Sequence, residues 1–140
     1  MLKNRLIQII KEEIDDYRGE HSAPSPENGG LPMHDLEDHF PDMYSQGYKF
    51  YGYRDRNNME AIGLIQQAEN NPDMRIKIYR AVPKINSGIN NGDWVTIVKD
   101  YAITHGKANL NNDYKILTKT VRAGDIYTEG NSVLEWGYYR

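Results

Sequence analysis

The chain contains no cysteine, which excludes disulfides, thiolate nucleophiles and thiolate-held metals. It has no apolar run approaching the ~18 residues that a membrane-spanning helix needs. Residues 1–17 mix acidic side chains among their apolar ones, unlike the core of a signal peptide. Neither sign of charge is in large excess, since 17 Lys and Arg against 20 Asp and Glu leave a formal net charge of −3. That balance provides no broad attraction to a nucleic-acid backbone, so nucleic acid is the less expected partner and a membrane is not expected. Phenylalanine and tryptophan are scarce, at two each. Tyrosine takes their place, eleven times in 140 residues, and its amphipathic ring serves either an aromatic core or the face of a flat ligand. The expectation is a single cytoplasmic domain covering residues 1–140.

Periodicity divides the chain into helices first and strands after. Leu2, Leu6, Ile9, Ile10, Ile14 and Tyr17 recur at spacings of three and four, which predicts an N-terminal helix over residues 1–18. Residues 19–57 open with a stretch rich in proline and glycine and continue without apolar period, so they read as a loop-rich cover with one helical turn at most. A second helix is expected over 58–70, capped by Asn57 or Asn58, with Ala61, Leu64, Ile65 and Ala68 as its apolar stripe. Residues 75–139 form a strand-rich core. Strands are expected at 75–82, 94–98, 114–121, 124–128 and 133–139, with a short helix at 99–105 closed by Gly106. This order predicts an α+β fold with a mixed or antiparallel sheet.

Three phrases in that core carry polar groups that a core does not need: Ile78-Tyr79-Arg80-Ala81-Val82-Pro83, Gly92-Asp93-Trp94-Val95-Thr96-Ile97 and Leu134-Glu135-Trp136-Gly137-Tyr138. Buried charges are costly unless paired, so Arg80 and Glu135 must face solvent or line a cleft. In a cleft, the arginine can fork onto a phosphate, the Thr96 hydroxyl can hold a ribose or backbone, and the glutamate can stabilise positive charge developing on a sugar. Such a set suits a dinucleotide whose glycosidic bond is broken. On the residues alone, however, a strand-end salt bridge is the commoner role for Arg80, and Thr96 is an ordinary strand residue.

The order of these phrases, with the helix Tyr101-Ala102-Ile103-Thr104-His105-Gly106 between them and His21-Ser22-Ala23-Pro24 and Leu31-Pro32-Met33-His34-Asp35-Leu36 upstream, resembles the ADP-ribosyltransferase family of the arginine-serine-glutamate type. The small members encoded by phages and mobile elements are the most similar, over about residues 20–139. The resemblance implies N-terminal helices packed on a C-terminal sheet with an NAD cleft, and NAD as co-substrate. It also implies mono-ADP-ribosyl transfer to a protein acceptor of the host, in the host cytosol if the protein is phage-encoded. Arg80 would contact the NAD phosphates, Thr96 would support the nicotinamide ribose pocket, and Glu135 would be the catalytic carboxylate. Tyr79, Tyr101 and His34 would complete the cofactor site, with no metal. Two positions depart from the family pattern. Trp94-Val95-Thr96 retains one hydroxyl where the family has three, and Val133 stands where arginine-modifying members place a second acidic or amide side chain, so a plain arginine acceptor is not expected.

The run His34, Asp35, Asp38, His39, Asp42 has metal-ligand residue types, but His34 and His39 share no helical face and a zinc site is not expected. His105, the residue before Gly106, reads as a helix-terminus cap. Tyr44, Tyr48, Tyr51 and Tyr53 read as an aromatic core cluster. Two other classes compete with the transferase: a small metal-independent ribonuclease with His105, Arg80 and Glu135 as acid, clamp and base, and a non-catalytic binding or inhibitor module on the same fold.

Overall fold

The computed structural model describes residues 23–86, 88–111 and 113–140, and the helix expected over 1–18 lies outside them. In chain order the elements are β1 (Leu31–Pro32), α1 (Met43–Phe50), α2 (Arg56–Gln67), β2 (Arg75–Pro83), β3 (Trp94–Val95), α3 (Lys99–Asn109), β4 (Tyr114–Arg122), β5 (Ile126–Thr128) and β6 (Trp136–Tyr138). Single 3₁₀ turns occupy Pro26–Asn28 and Ala123–Asp125.

The fold is α+β, with two antiparallel sheets. β2 and β4 form a long ribbon in unbroken register from Arg75 opposite Arg122 to Pro83 opposite Tyr114. Alternation specifies β2, since Ile76, Ile78 and Val82 are buried while Arg75 and Lys77 between them are exposed. The second sheet runs β1-β5-β6-β3. Between the sheets stands an antiparallel bridge of Tyr79 to Thr96, closed by Tyr79 N–H to the Thr96 carbonyl at 2.8 Å and Thr96 N–H to the Tyr79 carbonyl at 2.9 Å. Ribbon and sheet thus meet at the residues on either side of the site. One core spans both, taking Ile76, Ile78 and Val121 from the ribbon, Val95, Ile126 and Trp136 from the sheet, and Ala61 and Ile65 from α2 with Ala68 at its C-terminal cap. Burial of each larger aliphatic side chain contributes roughly 1.5–3 kcal/mol.

Several boundaries differ from expectation for identifiable reasons. The stretch read as loop contains α1, whose buried residues are only Met43 and Gly47 and whose Gln46 is non-helical (φ −138°, ψ 31°). A Cβ on Gly47 would come 2.8 Å from the Ile62 side chain, so this helix packs closely on α2 at a bare glycine, beside the buried Met43. α2 begins at Arg56, capped by Asp55 rather than by Asn57 or Asn58, and the Asp55 carboxylate accepts from the Asn58 N–H at 2.8 Å. α3 runs through Gly106 to Asn109. At Gly106 a Cβ would stand 2.5 Å from the Tyr114 ring, so this glycine serves close approach to β4 rather than a C-terminal cap. Because α3 also lies between β3 and β4, helices and strands are interleaved. The second and fifth expected strands shorten to Trp94–Val95 and Trp136–Tyr138, with Val133 and Leu134 in a turn ahead of β6. No helix among the described residues is long and apolar enough to cross a membrane.

Candidate functional site

A cleft of about 410 Å³ opens where the ribbon, the β3 segment and α3 meet, and it is lined by Tyr79, Arg80, Trp94, Thr96, Tyr101, His105 and Glu135 among others. Five of the six residues singled out from the sequence therefore share one wall system, although they come from four separate stretches of chain. β2 supplies Tyr79 and Arg80, the residue after β3 supplies Thr96, the first turn of α3 supplies Tyr101, and the residue before β6 supplies Glu135.

Each is held by a definite contact. Arg80 donates from Nη1 to the Trp94 carbonyl at 2.8 Å, which fixes the guanidinium across the seam between ribbon and sheet and leaves the other four of its five N–H donors for different partners. Thr96 is buried, and its Oγ1 accepts from the Val98 N–H at 3.3 Å. Val98 is the N-cap of α3, so this hydroxyl faces along its own chain and holds the helix entry. Glu135, partly exposed, accepts from the Tyr101 hydroxyl at Oε1, 2.9 Å away. Its backbone is pinned on both sides, by Leu134 N–H to Ser132 Oγ at 3.1 Å and by the indole of the buried Trp136, whose Nε1 donates to the Val133 carbonyl at 2.8 Å.

His34 does not line this cleft. Its carbonyl accepts from the Asn70 N–H at 3.0 Å, and its Nδ1 is buried without a hydrogen-bond partner among the described residues. His105 shows the opposite correction. Because α3 continues past Gly106, His105 is not terminal; it stands on the cleft wall with Arg80 and Glu135. The signal for this was its spacing of four from Tyr101, which puts both on one helical face. The tyrosines at 44, 48, 51 and 53 lie away from the cleft. Burial pushes the Tyr44 phenol up to about 12, the Leu36 N–H it accepts acting in the other direction. Tyr51 packs edge-on against Phe40 with ring centroids 5.8 Å apart, and Tyr53 is 80% exposed. A second cavity, of about 310 Å³, is lined by Phe40, Tyr51, Tyr53, Val133 and Trp136 with their neighbours. Val133 thus belongs to that wall and not to the one bearing Glu135. Among the described residues, no three His, Asp or Glu side chains gather as a metal-ligand set. Comparison with protein-family models, curated proteins and solved structures found no match to this chain.

Proposed function

We propose that this protein is a mono-ADP-ribosyltransferase that uses NAD as donor and a macromolecule, most readily a protein, as acceptor. The observation that carries this reading is the convergence of Arg80 and Glu135, 55 positions apart in the chain, on one cleft that Tyr79 and Tyr101 also line. The residues suit the dinucleotide. A volume of about 410 Å³ falls within the range of small-molecule sites, the guanidinium offers unspent donors to a pyrophosphate, and the tyrosines offer flat faces to its rings.

NAD supplies an activated ADP-ribose: breaking its C1′–N bond returns the electron pair to the pyridinium nitrogen, and the oxocarbenium-like sugar is captured by an acceptor that gives up a proton. Glu135 accepts a hydrogen bond from a ribose hydroxyl and sets its negative charge beside the developing cation, as carboxylates do in glycoside hydrolysis. Arg80 clamps the phosphates and so fixes the position of the sugar relative to Glu135. The rest of the family pattern applies less directly, since the Thr96 oxygen is engaged with Val98 and Val133 is turned to the second cavity.

Nicotinamide release by the purified protein tests the proposal. Glu135→Gln keeps the shape and removes the charge, and it should lower the rate by roughly 10²-fold or more. Wild-type release by this variant would remove Glu135 from the chemistry. The place of His105 beside Arg80 and Glu135 favours a second reading, a metal-independent ribonuclease; RNA cleavage without NAD would select it.

A further inference from the structure

We propose that Tyr101, presented by the first turn of α3, is the positioning residue for Glu135. The inference rests on the transferase reading and concerns the same site. A glutamate side chain has three rotatable bonds, so a fixed backbone does not by itself fix the carboxylate. The turn from Ser132 and the buried Trp136 settle where the Glu135 backbone lies. At the tip, the Tyr101 hydroxyl donates to Oε1 at 2.9 Å, and a hydrogen bond to a carboxylate is of the stronger kind.

The strand hydroxyl nearest in sequence does not take this role. The Thr96 Oγ1 accepts from the Val98 N–H at 3.3 Å, and Val98 in turn caps α3 and accepts from the N–H groups of Tyr101 at 3.1 Å and Ala102 at 3.3 Å. The order is therefore a relay: Thr96 sets the first turn of α3, that turn presents Tyr101, and Tyr101 holds the carboxylate. The phenol reaches farther from its backbone than a threonine hydroxyl does, so a residue on α3 can meet a carboxylate on the turn before β6.

Tyr101→Phe removes one oxygen and keeps the ring. We expect kcat for nicotinamide release to fall roughly tenfold while KM for NAD stays within about twofold and the melting temperature is unchanged, because a misdirected carboxylate costs the transition state more than the bound ground state. In a Glu135→Gln background the same change should add nothing. Independently of turnover, the Cζ resonance of ring-labelled Tyr101 should move when Glu135 is changed to Gln, since its hydroxyl then meets an amide. Unchanged kcat, a raised KM with kcat intact, full additivity in the double variant, or a Tyr101 resonance indifferent to Glu135→Gln would each overturn the assignment. A wild-type protein that releases no nicotinamide overturns the transferase reading itself, a separate outcome from a variant that matches an active wild type.

Discussion

Arg80 shows how one contact changes what a side chain can do. A free arginine carries about 2 kcal/mol of rotamer entropy, and its bond to the Trp94 carbonyl restrains that freedom in the protein before any ligand arrives. An anion entering the cleft meets a guanidinium already aimed. Arg80→Ala should weaken NAD binding by about 1.5–3 kcal/mol, the scale of a lost hydrogen bond to a charged group, and Arg80→Lys should recover only part of it because an ammonium lacks the planar fork. Calorimetry with unchanged affinity for the alanine variant would return Arg80 to a structural part. That Arg80 and Glu135 line a cleft was legible in the sequence because a charge inside an apolar strand phrase is costly to bury, although a salt bridge was the commoner reading for Arg80 alone. His34 was not, since a histidine beside aspartates looks the same whether it faces a cleft or, as here, lies outside it. His105 was misread through its neighbour: Gly106 resembles a terminator, and only the ring of Tyr114, eight residues on, shows that the glycine makes room.

At the scale of elements, α2 depends on its first turn. The Asp55 carboxylate receives the Asn58 N–H and side-chain amide, at 2.8 and 3.0 Å, and those bonds hold its pKa below the usual carboxylate value. A depressed folded pKa means the stabilisation is complete above the unfolded value of ~3.9 and is lost as pH falls through the folded one. Asp55→Ala should lower the melting temperature by about 2–5 °C at neutral pH, and the gap between variant and wild type should narrow as the buffer is taken below pH ~4. A gap that stays constant on acidification would detach the cap from the charge. The body of α2 was readable from its apolar stripe. Its start was not, because aspartate and asparagine are both good caps and the sequence offers both at adjacent places. α1 was hidden for a different reason: it is short, its buried residues are one methionine and one glycine, and a backbone contact at glycine carries no apolar signal.

At the scale of the whole molecule, distant stretches are joined where side chains are missing. A Cβ on Gly137, in the middle of β6, would overlap the Pro24 carbonyl and crowd Ala23, and Tyr139 reaches the Ala23 carbonyl with its hydroxyl at 3.1 Å. The first described residues therefore lie across β6, one strand position from Trp136. Gly137→Ala should destabilise by about 1–3 kcal/mol through overpacking, with a matching shift of the denaturation midpoint and no change in m-value. A neutral result would mean that the 23–25 segment yields freely. The α+β class and the approximate places of β2, β4 and α2 came from local pattern, whereas the β2–β4 pairing did not. How two sheets share one core, and which turn brings Glu135 opposite Arg80, came from contacts between residues far apart in sequence, about which periodicity is silent.

The two backbone bonds between Tyr79 and Thr96 also make a gauge. Each is an amide proton that trades with solvent only when ribbon and sheet part at that point, so its exchange rate counts the openings of the cleft. Any molecule that grips Arg80 on the ribbon and Glu135 on the sheet ties the two together and slows both protons at once. Deuterium uptake at two positions can therefore rank candidate ligands before a single reaction has been assayed.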